Sequence, residues 1–423
     1  MENSRERIID MGLSREERQH LVDELASRAI EQIYPNVDEF KEAVGGEQRL
    51  TAYMGIDPTA PDMHVGHESQ LLKLRRLQML GHRVILLIGD FTAMIGDPTD
   101  KSSARVKLSR EEVLSNAEGY REQAGKILNF GHPDNPVELR YNSEWLGKMD
   151  FGDVLELASE FTVQQMLERD MFKRRMTDNK PVGLHEFIYP MMQGWDSVNM
   201  NVDIEVGGSD QIFNMLVGST LVKRHLNKQK YVVAGQLLVD PSGKKIGKTE
   251  GNMITLNDEP VDMFHKIMMW GDEITPHALE LCSSLSMDEV NEVHDKLVSG
   301  EMNGLEGKMF LAERVVSELH GKEAAQEAIE QYQSLTSRDK ELDITSLDSY
   351  APERGEGIIS VVRNSGLASS NSEARRLVEG GAVRCNGNTV DGTWTYSPVD
   401  EEPIVLQVGK KKRQNYRRLD SSS

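Results

Sequence analysis

The stretch TAYMGIDPTAPDMHVGHESQLLKLRRLQMLGHRVILLIGDF, residues 51 to 91, changes its periodicity twice. An apolar, strand-like segment runs from Leu50 to Ile56. A helical pattern follows in Leu71, Leu72, Leu74, Leu77 and Leu80, Gly81 stops it, and a second apolar segment runs from Val84 to Phe91. Strand, helix and strand in that order make a βαβ unit, which implies a parallel sheet. The unbroken run Val84 to Ile88 suits a strand covered on both faces. The expected fold class is therefore α/β, a Rossmann-like, doubly wound parallel sheet with ligands at the carboxyl ends of its strands.

The first turn of this unit, Gly55 to His67, lacks the glycine fingerprint of dinucleotide-binding folds. It places His64 and His67 three residues apart at the start of a helix, where N-terminal amides and the helix dipole favour an anion. Imidazoles there can donate to phosphate oxygens, and Gly66 leaves room for a flat base to lie close. A zinc pair is disfavoured, because no third ligand cluster accompanies the histidines. Far downstream, PSGKKIGKTEGN at 241 to 252 nearly spells a phosphate-binding P-loop. The register fails: counting back from Gly247-Lys248-Thr249 lands on Ser242, with Gly243 one place too late. Lys245, Lys248 and Thr249 thus sit on a loop that needs a partner elsewhere.

Around this unit the chain divides by pattern. Residues 1 to 47 read as a helical segment. The sheet signal spans 48 to 255, returning in VDIEVGG and YVVAGQLLV, with an insertion around 120 to 185 in which 151 to 176 read as one long amphipathic helix. From 256 to 335 the period is helical, with a capping box at Ser286 and Glu289 and a stripe of Met309, Ala312, Val315, Val316 and Leu319 ended by Gly321. Residues 336 to 356 read as a polar linker. A small α+β unit fills 357 to 423, with a helix capped by Ser370 and Glu373, ended at Gly380-Gly381, and a turn at Asn386-Gly387.

Composition bounds the function. A chain of 423 residues, 38% hydrophobic, has enough apolar side chains for several cores, and no apolar run reaches the roughly 18 to 20 residues of a membrane span. With a charged first segment, MENSRERIIDMGLSREERQH, a cytoplasmic protein is expected, with no membrane partner. Two cysteines, Cys282 and Cys385, exclude a disulfide framework and a multi-cysteine zinc site. The net charge of -20 argues against indiscriminate nucleic-acid binding, yet Lys410-Lys411-Lys412-Arg413 and Arg417-Arg418 concentrate basic charge where an anionic partner can dock.

His64-Val65-Gly66-His67 early in a βαβ unit, with Lys245-Ile246-Gly247-Lys248-Thr249 after the last sheet strand, resembles the paired HIGH and KMSKS signatures of class I aminoacyl-tRNA synthetases. Ile-Gly stands where Met-Ser is common. Four further blocks, Tyr53 to Ala60, Ile95 to Pro98, Tyr189 to Asp196 and Gly207 to Gln211, resemble the bacterial-type tyrosyl-tRNA synthetases of that class in their usual order.

The resemblance implies that Tyr53 and Asp196 meet a substrate hydroxyl, that Asp97, Tyr189 and Gln193 hold its ammonium, and that Asp57 and Thr92 belong to the same pocket. It assigns catalysis to Thr59, His64, His67, Lys245, Lys248 and Thr249, with Lys101 and Arg105 on a loop that closes over pyrophosphate. ATP would lie against Gly55, Gly66, Gly208, Asp210, Gln211 and Lys248, as MgATP and with no protein-bound metal. It further implies a homodimer, and an S4-like C-terminal unit gripping tRNA(Tyr) with Arg375, Arg376, Lys410, Lys411, Lys412 and Arg413. Met54 and Glu205 depart from the cysteine and glutamine of many members. A tryptophanyl enzyme is disfavoured by Tyr53, Asp196 and the S4-like tail, and a non-catalytic RNA-binding protein by the intact histidine and lysine sets.

Overall fold

A computed structural model describes residues 6–99, 108–240, 245–246, 253–336, 347–386, 388–397, 404–409 and 416–419. Two compact units emerge, Met1–Tyr332 and Gln333–Ser423. The first is built on a six-stranded sheet of β1 (Ile30–Tyr34), β2 (Thr51–Ile56), β3 (Arg83–Ile88), β4 (Glu138–Tyr141), β5 (Ile204–Gly208) and β6 (Tyr231–Gly235), in the order β1-β6-β5-β2-β3-β4. Neighbours from β6 to β4 are parallel, and β1 is antiparallel on β6 with Ile33 opposite Val233. The chain winds outward from β2 to β4, then returns to the other side of β2 as β5. The switch point therefore lies between β2 and β5, where ligands of such sheets bind.

The expected βαβ unit is β2, the helix Val65–Met79 and β3. Leu71, Leu74 and Leu77 on that helix are fully buried, and truncating any one of them is expected to cost about 2–5 kcal/mol. The same helix also buries Glu68, Lys73 and Arg76, which is possible only because it is covered on all sides. Arg76 and Arg28 both pair with Glu24, at 3.1 and 3.5 Å. Arg28 also donates to the carbonyls of Leu279, Glu280 and Ser283 at the end of the helix Thr275–Cys282, supplying donors that helix end otherwise lacks. This buried network ties the N-terminal helix Arg15–Ser27 to the helical segment, whose core is continuous with that of the sheet.

Four details correct the pattern-based expectations. The segment 1 to 47 is not wholly helical: β1 extends the sheet, and with only Ile33 buried it carries no readable alternation. The stretch taken as insertion holds β4, paired to β3 with Leu86 opposite Leu139, and four half-buried residues are too short for a period. The single helix expected over 151 to 176 breaks into Phe151–Ser159, Val163–Met166 and Asp170–Thr177. The break follows a capping box, in which Gln165 N–H donates to Thr162 Oγ1 (3.2 Å) and Thr162 N–H to Gln165 Oε1 (2.8 Å). The expected linker contains β7 (Ser349–Tyr350), which joins the second unit.

That second unit is a five-stranded sheet of β7, β8 (Val383–Cys385), β9 (Asn388–Thr389), β10 (Ile404–Val408) and β11 (Tyr416–Leu419), ordered β7-β11-β10-β8-β9. The helices Ile358–Asn364 and Asn371–Glu379 pack Val361, Val362, Ala374 and Val378 into a core of its own. Ser370 accepts from Glu373 N–H at 3.2 Å, as its position before the helix implies.

Candidate active site at the sheet switch point

The carboxyl ends of β2 and β5 open into one cleft, lined at its mouth by His64, Gly66 and His67 and at its floor by Tyr53, Asp196 and Glu205. Every expected active-site residue that the structure describes lines it: Tyr53, Gly55, Asp57, Thr59, Thr92, Asp97, Tyr189, Gln193, Asp196, Gly208, Asp210, Gln211 and Lys245 join the two histidines and Gly66. Lys101, Arg105, Lys248 and Thr249 lie outside the described residues.

At the mouth the histidines cap their own helix. Gly66 N–H donates to His64 Nδ1 (3.1 Å) and His64 N–H to His67 Nδ1 (3.1 Å), while the rings stack with centroids 3.9 Å apart. Because each Nδ1 accepts, each neutral ring carries its proton on Nε2, as a donor. A helix start with two such donors suits a polyanion. His64 and Thr255 form an isolated antiparallel bridge, and Val65 N–H donates to Ile254 O (3.1 Å), so the segment after the lysine loop is sewn to the histidine turn. Across the cleft Lys245 Nζ lies 2.7 Å from Asp210 Oδ2. Sequence places these groups far apart, and the fold brings them to a single cavity.

Deeper, one face of the helix Leu184–Asn199 presents Tyr189, Gln193 and Asp196, at spacings of four and three. Asp196 accepts from the indole Nε1 of Trp145 (2.7 Å) and, at 3.3 Å, from Asn142 Nδ2. Burial holds its carboxyl well above the usual range, those two donors pulling the other way and the Glu205 charge adding to the rise. Burial likewise raises the Tyr53 phenol. Tyr53 OH lies 2.9 Å from Ser197 Oγ. Asn142 Nδ2 also donates to Thr92 Oγ1 (2.9 Å), and Asp57 accepts from Thr92 Oγ1 (2.7 Å) and Tyr189 OH (2.9 Å). Asp97 accepts from Thr99 (2.6 Å) and Gln211 (2.7 Å), with the Arg169 guanidinium 3.7 Å away. Gly89, which closes β3, has no space for a side chain: a methyl there would fall on Asp57 Oδ1 and Thr92 Oγ1. Carboxyl groups held by fixed donors thus surround one chamber that Tyr53 and Tyr189 also line.

Asn142, Trp145, Ser197, Asn214 and Lys230 hold the expected residues in place, and sequence reasoning did not single them out. Asn142 and Trp145 sit together in NSEW, a polar-aromatic cluster right after β4 that marks a strand's carboxyl end once β4 is known. Lys230 carries no such signal. It stands before β6 in a run that reads as a surface turn, yet it is 1% exposed. It also accounts for Glu205, which it pairs with directly. In the C-terminal unit, Arg375 and Arg376 lie exposed on the helix Asn371–Glu379, and Lys410, Lys411, Lys412 and Arg413 fall outside the described residues. Among the described residues no helix is long and apolar enough to cross a membrane.

Residues 46–337 match the model of the tRNA synthetases class I (W and Y), and residues 357–396 match that of the S4 domain. The chain is 40% identical over 400 residues to the tyrosine–tRNA ligase of Carboxydothermus hydrogenoformans, covering 92% of this chain and 96% of that one. It is 41% identical over 368 residues to that of Haemophilus influenzae, covering 86% and 88%. Among solved structures, a C-terminally truncated mitochondrial tyrosyl-tRNA synthetase of Aspergillus nidulans aligns with a TM-score of 0.63 at 23% identity, over 76% of this chain and 99% of that one. The tyrosyl-tRNA synthetase of Archaeoglobus fulgidus complexed with L-tyrosine aligns with a TM-score of 0.57 at 20% identity, over 75% and 100%. At those identities the two structures speak for the fold.

Proposed function

The chain belongs to the tRNA synthetases class I (W and Y), and from that membership we infer that it is a tyrosine–tRNA ligase. It activates L-tyrosine with ATP to tyrosyl-adenylate and pyrophosphate, then transfers the tyrosyl group to the 3′ end of tRNA(Tyr). The observation that carries tyrosine over tryptophan is the floor of the cleft, where the Asp196 carboxyl and the Tyr53 hydroxyl stand together under full burial. A substrate without a phenol leaves the remaining acceptor capacity of buried Asp196 unmet. The expected rejection of phenylalanine is about 10⁴- to 10⁵-fold, for which tyrosine enzymes of this family are themselves the standard illustration.

In the reading we favour, Asp97, Tyr189 and Gln193 take the substrate ammonium, with Asp57 and Thr92 orienting Tyr189 and the backbone at the chamber wall. The substrate carboxylate then attacks the α-phosphate of MgATP, the α–β bridging bond breaks, and pyrophosphate departs. His64 and His67 donate through Nε2 to charge that grows in the transition state, and Thr59 lies alongside. Lys245, Lys248, Thr249, Lys101 and Arg105 supply positive charge and hydrogen bonds to the leaving phosphates. Gly55 and Gly66 leave room for adenosine, Gly208 and Gln211 line its ribose side, and Asp210 exchanges Lys245 for a ribose hydroxyl. No side chain forms a covalent intermediate; acceleration comes from positioning and preorganised charge. Mg²⁺ enters as part of the nucleotide substrate.

The S4-like unit supplies Arg375, Arg376 and the lysine-rich tail to the tRNA backbone, with the helical segment 256 to 335 alongside the anticodon stem. A homodimer is supported by exposed apolar side chains on the helices following β4, namely Phe151 (76% exposed), Leu155 (55%), Val163 (65%) and Leu184 (82%). ATP and tRNA as its substrates support a cytoplasmic reaction. Pyrophosphate exchange measured with tyrosine, tryptophan and phenylalanine tests the assignment: exchange with tyrosine alone is expected, and exchange with tryptophan would refute it.

A further inference from the structure

We propose that Lys230 and Glu205 are positioning residues for tyrosine, a buried ion pair beneath the cleft that orients the groups at both ends of the amino acid. The proposal rests on the tyrosine-activating reading above. Lys230 Nζ has three protons and three acceptors: the Glu205 carboxylate in close contact, Ser197 Oγ at 3.0 Å and Met215 O at 3.0 Å. Its side chain is 0% exposed and that of Glu205 3%. Burial lowers the lysine pKa and Glu205 opposes the shift, so the geometry, a complete set of acceptors, is what retains the ammonium.

Two consequences reach the substrate. A carboxylate only accepts, so Gln193 must turn its amide NH₂ to Glu205 Oε1 (3.0 Å), while its Oε1 accepts from Asn214 (3.0 Å). With its NH₂ directed to Glu205, Gln193 keeps its Oε1 as the acceptor it can offer the ammonium. At the other end, Ser197 receives Lys230 and contacts both Glu205 (3.4 Å) and Tyr53 OH (2.9 Å), so the pair also sets the hydroxyl that flanks Asp196. Lys230 also balances charge, since the cleft already holds Asp57, Asp97, Asp196 and Asp210, and an uncompensated Glu205 would be a fifth carboxylate. Without the lysine, Glu205 would be a buried carboxylate lacking its counter-charge, and the Gln193 and Ser197 orientations it sets would no longer be held.

The test uses full-length Lys230→Met, Glu205→Gln and the double variant Lys230→Gln/Glu205→Gln in pyrophosphate exchange, titrating tyrosine and ATP separately. K230M is expected to raise KM for tyrosine about 10- to 100-fold while KM for ATP stays within about twofold. The double variant, which removes both charges and keeps an amide acceptor for Gln193, is expected to recover most of that loss, far from the product of the single effects. Should K230M fail to fold, the comparison between E205Q and the double variant carries the same expectation, the lone buried lysine being the worse state. Equal rises in both KM values, an unchanged KM for tyrosine, or strictly multiplicative effects in the double variant would overturn the proposal. A wild-type protein that does not exchange with tyrosine would overturn the functional reading instead.

Discussion

Asp196 shows how a single residue acquires a role from its surroundings. Its oxygens are met by Trp145 Nε1 and Asn142 Nδ2, so the carboxyl is held at one angle with capacity left for a substrate hydroxyl. Asp196→Asn is expected to lower kcat/KM for tyrosine by about 10²-fold or more while the loss for phenylalanine is small, so discrimination shrinks. Circular dichroism matching the wild type would show that the fold survives, and a preserved tyrosine preference would remove Asp196 from recognition. His82 is a residue whose environment speaks to stability alone. Nδ1 accepts from Leu50 N–H (3.2 Å), so Nε2 donates to Val44 O (3.0 Å), and burial pushes its pKa down to about 4. A ring held neutral when folded contributes stability that is present above its unfolded pKa of about 6.5 and lost as pH falls toward 4. Between pH 7 and pH 5 the loss from this group is about 2 kcal/mol. Urea unfolding at the two pH values should show it in the wild type and not in His82→Gln, whose amide keeps both hydrogen bonds without titrating.

At the scale of the element, function depends on how strands end. β2 and β5 terminate at the switch point, and β3, the other neighbour of β2, is followed by Gly89, against which the Asp57–Thr92 pair is packed. Gly89→Ala adds one methyl and no polarity. It is expected to displace Asp57 and raise KM for tyrosine about tenfold or more, with KM for ATP less affected. Saturation curves for the two substrates decide this, and parallel losses would place the effect on the fold as a whole. Helix starts matter equally. The helix Val65–Met79 uses its own histidines as caps, so the side chains that stabilise the element also fix which ring nitrogen carries the proton when the rings are neutral. Lys245 lines the same cleft, and Thr255, further along the chain, bridges to His64.

At the scale of the whole molecule the unit Gln333–Ser423 has its own core and sheet, and on the proposed reading it serves tRNA capture while the first unit activates the amino acid. Deleting residues 333 to 423 is expected to spare tyrosine-dependent pyrophosphate exchange within about threefold and to reduce tRNA charging by at least tenfold, increasingly so at higher salt. Loss of exchange as well would make the unit structural. Much of this arrangement was legible before folding. Local periodicity marks β2, the helix after it and β3, because short-range pattern governs them, and the histidine turn reads as an anion site from its place at a helix start, whereas the Tyr189–Asp196 block was expected from resemblance alone. Edge strands β1 and β4 and the break at Thr162 were hidden, being too short or too weakly alternating to register. Only the closed structure decides that Lys230 lies under the cleft with Glu205, or that Trp145 and Asn142 brace Asp196. A lone lysine, tryptophan or asparagine reads the same on a surface as in a core. Burial removes water as the competing partner, and then each polar group must take the neighbour that the sheet order sets beside it.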